Sequence, residues 1–314
     1  MFLGIEIGGT KLQLGVGLGD GSPLVELQRI DVRLDEGAAG IRRQIELAGR
    51  ELIRQHDVRA GGVGFGGPVD SAAGRTIKSH QVDGWDDFPL AQWCRDALGL
   101  PTTLANDSDS AGLAEALFGA GHGSRVVFYN NVGSGIGGAL IIDGRLYGGS
   151  RGVAAELGHL RPGPESQRSD QTIESIASGF AIAASARARV AEKNSSDPFS
   201  EDLLRRCEGR IERLTGKMVA EAADEGNEAA RDIFDRAIRT LGWGIAQMIT
   251  LVAPEVVVMG GGVPLIGESL FMAPLRREVD RYVFPPLRNS YKIIPAKLGE
   301  EVVVHGVLAI AAGK

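Results

Sequence analysis

Asn106-Asp107-Ser108-Asp109-Ser110 joins a β-prone run at 102–105 to a helix-periodic one carrying Ala111, Ala114, Leu117 and Phe118. Carboxylates at a strand end that opens a helix sit where α/β proteins collect their chemistry. Asp107 or Asp109 can cap the helix, accepting from its free N–H groups. A cap would account for an isolated Asp; the rest of the chain favours a part in the chemistry for Asp107.

Gly supplies 45 of the 314 residues, about twice the usual share, and much of it follows short apolar runs. Gly8-Gly9-Thr10 follows 2–7, Gly66-Gly67-Pro68 follows 63–65, the 133–138 loop follows 126–129, and Gly260-Gly261-Gly262 follows 256–259. Turns alone need one or two glycines. Four clusters at strand ends point to backbone that approaches an anion and aims N–H groups at it. Two of the loops look like copies, each reading as strand, glycine hairpin, strand, turn. That duplication predicts a pair of related domains with a ligand between them. Gly133 to Gly138 fits G-x-G-x-x-G, but residues 139–142 continue as strand, so a dinucleotide fingerprint does not follow. A GxxxxGK[ST] phosphate loop is absent from the sequence.

The elements that must position these loops alternate. Strands are expected at 2–7, 11–16, 24–30, 61–65, 102–105, 126–131, 136–142, 255–259 and near Ile293. Helices are expected at 38–56, 90–98, from Asp107, over much of 173–252, between the strands at 255–259 and near Ile293, and at 302–312. The fold class is α/β. Two domains are expected: 1–110, completed by a C-terminal helix at 300–314, and 111–299. A formal net charge of −6 argues against nucleic acid as the main partner. No signal-peptide pattern or long apolar run stands out, so a cytoplasmic protein without a membrane partner is expected. Cys94 and Cys207 form no metal or redox motif and read as buried small hydrophobes.

Glu6-Ile7-Gly8-Gly9-Thr10-Lys11, Asn106-Asp107, the 133–138 loop and Gly152-Val153-Ala154-Ala155-Glu156-Leu157-Gly158-His159 stand in an order and spacing that resembles the ROK family of sugar kinases and repressors. The resemblance spans almost the whole chain. It implies two RNase-H-like, actin-like ATPase domains with an interdomain cleft that closes on a hexose and ATP with Mg²⁺, in a homodimer. It implies that Asp107 is the catalytic base and that Asn106, Gly66, Gly67, Glu156, His159 and Glu174 bind the sugar. Glu6, Gly8, Gly9, Thr10, Lys11, Gly133, Ser134, Gly135, Gly260, Gly261 and Gly262 would line the nucleotide and its metal. Phosphoryl transfer is largely positioning and charge stabilisation, which this residue set can supply. Glu156 and His159 share a helix face if their segment is helical.

The chain departs from the family twice. Glu6 stands where the family usually has Asp, which leaves a carboxylate near Mg²⁺ or a hydrogen-bonded strand acid. Residues 161–172 lack the three Cys that, with a His, make the family's common zinc site, so no structural zinc is expected. Pro162 and Pro164, and pairing of Arg161 or Arg168 with Glu165 or Asp170, are expected to hold that loop instead. The glycine hairpin begins at residue 8, so a repressor's DNA-binding motif is not expected and a kinase is favoured over a regulator. The expected function is an ATP-dependent hexose kinase, with glucose O6 the best acceptor. A polyphosphate donor or a sugar sensor without catalysis are the alternatives.

Overall fold

A computed structural model describes residues 1–9, 11–79, 82–150, 152–163, 166–192 and 197–314, without the side chain of Leu34. Contacts divide the chain into two compact units: 1–129 with 139–155 and 296–314, and 130–138 with 156–295. This division differs from the expected breaks at 110/111 and 299/300. The helix that begins at Asp107 runs past residue 110 and packs along the C-terminal helix, so both belong to the first unit.

In the first unit β1 (Phe2–Ile7), β2 (Lys11–Gly17), β3 (Glu26–Asp31), β4 (Ala60–Phe65) and β7 (Thr102–Asn106) form a sheet in the order β3-β2-β1-β4-β7. A small hairpin, β5 (Val69–Asp70) with β6 (Arg75–Thr76), follows β4. β4 and β7 run parallel to β1, and their registers align Ile7 with Phe65 and Phe65 with Asn106. The loops after these strands therefore leave the sheet side by side at its carboxyl edge, where open α/β sheets bind ligands.

The two faces of this sheet read differently in the sequence. Leu3, Ile5, Ile7, Leu12, Leu14, Val16, Val63 and Phe65 point to one face and form a core with α1 (Gly37–Gln55) and α2 (Leu90–Leu98). The other face carries Gly4, Gly15, Gly17, Gly62 and Gly64. These glycines seat α10 (Val302–Ala311): a Cβ on Gly4 would lie 3.0 Å from the Val304 side chain, and one on Gly62 would strike the Val307 backbone. Part of the glycine excess thus serves helix-to-sheet packing rather than ligand loops. α3 (Asp107–Phe118) packs on α10, where the Gly306 backbone meets that of Ser110.

A second sheet has the order β10-β9-β8-β11-β12, built from β8 (Val126–Val132), β9 (Ile136–Ile142), β10 (Arg145–Leu146), β11 (Val256–Gly260) and β12 (Lys292–Pro295). The division between units passes through β8 and β9. The second unit is otherwise mostly helical: α4 (Glu174–Ala177), α5 (Gly179–Glu192), α6 (Pro198–Arg206), α7 (Gly216–Asp224), α8 (Glu228–Val252) and α9 (Ala273–Tyr282). Among the described residues no helix is long and apolar enough to cross a membrane.

Candidate active site

The row of loops in the first unit brings Gly8, Gly66, Gly67, Asn106 and Asp107 together. Gly66 N–H donates to the Ile7 carbonyl at 2.9 Å, and a Cβ on Gly66 would lie 3.7 Å from the Gly8 Cα and 3.6 Å from Asp107 Oδ2. Asn106, not Asp107, is the helix cap. Its Oδ1 accepts from Ser108 N–H at 2.8 Å and Asp109 N–H at 3.2 Å, and its Nδ2 donates to the Gly67 carbonyl at 3.0 Å. Asn106 thereby ties the Gly66-Gly67 loop to the start of α3. Asp107 takes the first helical position, with Oδ1 accepting from Ser108 N–H at 2.7 Å. Burial raises its pKa above the ordinary aspartate range, against the hydrogen bonds from Ser108 and Asn106 that pull it down. A perturbed acid at a strand-to-helix junction is a candidate for proton transfer.

Glu6 lies on β1 directly opposite Gln13, and Gln13 Nε2 donates to its Oε2 at 2.5 Å. Burial raises the Glu6 pKa. Gln13 and the Lys11 ammonium oppose that shift; Asp107 and Glu300 add to it. Lys11 Nζ approaches Glu300 at 3.4 Å. Gly8 N–H donates to the Lys11 carbonyl at 3.0 Å, closing the hairpin that also contains Gly9. Thr10 lies outside the described residues.

In the second unit the turn that carries Glu156 and His159 and the carboxylate of Glu174 both meet Ile136 at the start of β9. Leu157–His159 form a single 3₁₀ turn, and His159 N–H donates to the Glu156 carbonyl at 3.1 Å. Three residues per turn put 156 and 159 one turn apart, and both are exposed. Buried Gly158 presses on the Ile136 carbonyl with no room for a side chain. Ala155, just before the turn, holds φ +68°, a strained setting for a residue other than glycine and typical of sites. Ile173 N–H donates to the Leu160 carbonyl at 2.9 Å, which brings Glu174 beside this turn. The Glu174 Oε2 accepts from Ile136 N–H at 2.6 Å, so this carboxylate braces the 133–138 loop. In the connecting loop Arg168 pairs with Asp170 at 2.6 Å; Pro164 and Glu165 lie outside the described residues. Among the described residues no group of three or more His, Cys, Asp or Glu is arranged for a metal.

The 133–138 loop is also bound to α5: Gly179 N–H donates to the Gly133 carbonyl at 2.8 Å and Phe180 N–H to the Ser134 carbonyl at 3.4 Å. The loop after β11 joins it, with Val263 N–H donating to the Val132 carbonyl at 2.9 Å. Gly260 ends β11. Gly261, at φ +89°, backs onto Val132 and Asn131 so closely that only glycine fits. Gly133, Ser134 and Gly262 then line an 860 Å³ cavity with Phe180, Lys217 and Leu265. The cavity is large enough for a nucleoside and mostly apolar, with a few charged groups at its wall. Lys217, Gly179, Phe180 and Gly216 were not among the expected site residues. Thr215-Gly216-Lys217 carried a readable signal, a capping Thr before a helix whose early turn holds a cation. Thr215 Oγ1 accepts from Met218 N–H at 3.3 Å.

The sequence profile of the ROK family matches residues 2–314. The glucokinase of Thermotoga maritima is 30% identical over 312 residues, covering 98% of this chain and 96% of that protein. The crystal structure of a ROK family glucokinase from Streptomyces griseus, in complex with glucose and AMPPNP, matches with a TM-score of 0.84 and 31% identity, covering 100% of this chain and 99% of that one. The ROK hexokinase from Thermus thermophilus matches with a TM-score of 0.78 and 27% identity, covering 99% and 97%. The chain belongs to the ROK family and has the actin-like ATPase fold of its sugar kinases.

Proposed function

We propose that this ROK-family chain is an ATP-dependent hexose kinase, moving the γ-phosphoryl group of Mg-ATP to a hexose hydroxyl, with glucose O6 the best acceptor. The observation that carries this reading is Asp107. With Asn106 capping α3, Asp107 has no need to serve as the cap, and burial leaves its carboxylate a stronger base than an exposed one. In the proposed reaction Asp107 accepts the proton as the sugar oxygen bonds to the γ-phosphorus and the bond to ADP breaks. Asn106, Gly66 and Gly67 orient that hydroxyl, and Glu156, His159 and Glu174 read the remaining hydroxyls. An acceptor left unpaired by the wrong epimer would penalise it. Mg²⁺ would arrive with ATP as part of the substrate, and Glu6 and Lys11 would hold its phosphates and metal.

The apolar wall of the 860 Å³ cavity supports a nucleotide donor over polyphosphate, which offers no apolar surface to bury. A second reading draws on Glu6. Its hydrogen bond to Gln13 favours a strand acid withdrawn from metal chemistry, as in a sugar-binding sensor that has lost catalysis. One experiment separates these readings: sugar-phosphate formation measured across a hexose panel, with ATP and polyphosphate as donors. Turnover of a hexose with ATP is expected. Tight sugar binding with no turnover on either donor would overturn the kinase reading and leave the sensor.

A further inference from the structure

The first unit contains a buried acid with no part in the proposed chemistry. Glu115 is 0% exposed and lies near the C-terminal end of the helix that Asp107 begins. A carboxylate there meets the negative end of the helix dipole, and burying it is unfavourable unless donors surround it. Three backbone N–H groups do so: those of Lys297 at 2.8 Å and Leu298 at 2.7 Å donate to Oε1, and that of Ala120 at 2.7 Å to Oε2. Lys297 and Leu298 belong to the segment by which the chain re-enters this unit at Ala296, ahead of α10.

The far end of that segment is held by a second buried polar side chain. Gln13 is also 0% exposed, and its Nε2 donates both to Glu6 and to the Glu300 carbonyl, the latter at 2.9 Å. Gln13 Oε1 accepts from Arg29 Nε at 3.1 Å, and Arg29 pairs with Glu301 at 3.0 Å. The segment is thus fastened at one end to the Asp107 helix and at the other to β2, whose Gln13 side chain also holds Glu6.

We infer that residues 297–301 are a brace that sets the position of Asp107 relative to Glu6, and that Glu115 and Gln13 are its positioning residues. The inference rests on the kinase reading above. Glu115 lies eight residues beyond Asp107, about 12 Å along the helix, so it acts through the rigid body of α3 and not by contact.

Turnover by the wild type on the sugar panel tests the kinase reading by itself. In an active wild type, Glu115→Gln turns an acceptor oxygen into an NH₂ group facing a backbone N–H. The variant is expected to lose roughly 10–100-fold in kcat, the scale of a displacement near 1 Å. Its sugar KM should change less than about threefold, since the hydroxyl contacts remain. The acid limb of kcat/KM should move, and amide exchange at Lys297 and Leu298 should quicken. Glu115→Asp, which keeps the charge, should recover part of kcat. Faster exchange with kcat and the pH profile unchanged would overturn the inference and leave Glu115 a purely structural group. Should Glu115→Gln fail to fold, Gln13→Leu carries the same test. A loss of kcat with a shifted acid limb supports the brace, and wild-type values of both refute it.

Discussion

Asp107→Asn is the sharpest test of the proposed chemistry, because the fold gives it little reason to fail. The substitution keeps an oxygen for Ser108 N–H, 2.7 Å away, and leaves the Asn106 cap untouched. Burial raises the Asp107 pKa above its ordinary 3.8, so the folded chain holds this proton more tightly than the unfolded one. Stability is therefore lost as pH rises from 3.8 through the raised value, and at pH 7 the ionised carboxylate is a net burden. A neutral Asn escapes that burden, and the variant should melt at or above the wild-type temperature. Its catalysis should collapse. Loss of a general base lowers kcat on the order of 10²–10⁴-fold, which is about 2.7–5.4 kcal/mol of transition-state stabilisation. Coupled ADP release gives kcat, and titration calorimetry gives sugar affinity, which should change little. The same protonation sets the wild-type pH profile: kcat/KM should rise through an acid limb lying above 3.8, since only the ionised form accepts a proton. A variant turning over within about threefold of wild type, far short of that range, would refute the assignment of Asp107 as the base.

Glu174→Gln should weaken sugar and nucleotide together, because its carboxylate holds Ile136 N–H in the loop whose Gly133 and Ser134 line the cavity. Exchanging a charged acceptor for a neutral one is worth about 1 kcal/mol, or roughly fivefold in each KM, and a change confined to one substrate would contradict the shared role. Gly62→Ala drives a Cβ into the Val307 backbone and should lower stability by about 1–3 kcal/mol in a denaturant titration; an unchanged midpoint would show that α10 shifts freely. A zinc-selective chelator should leave melting temperature and sugar affinity unchanged, since residues 161–172 supply no thiolate. Stoichiometric zinc retained by untagged, dialysed protein would contradict it.

The parts of the fold that local sequence determines were legible. A β-prone run, an Asx pair and a helix-periodic run specify the β7–α3 junction within a dozen residues, and the junction holds Asp107 at the strand end. Which Asx side chain caps was not legible, because Asn106 and Asp107 satisfy the same local preference. The difference is made by Gly67, whose carbonyl takes the Asn106 amide from 39 residues away. The role of the glycines inside β1, β2 and β4 was not legible for a similar reason, because their partner is a helix near the other end of the chain.

The course of the units is nonlocal in the same sense. β8 and β9 cross between them without a break in composition, and α3 is claimed for the first unit by α10 and by Glu115, whose donors lie at 297 and 298. The candidate catalytic acid and the residues that hold it therefore differ in kind. Asp107 is marked by its neighbours in sequence, because a base needs only a strand end and a helix start. Its support comes from the C-terminal segment, because fixing a helix against a sheet needs a third element that packs on both. Substitutions that disturb the Lys297 and Leu298 backbone should thus act on catalysis, although neither residue is among the expected sugar or phosphate ligands.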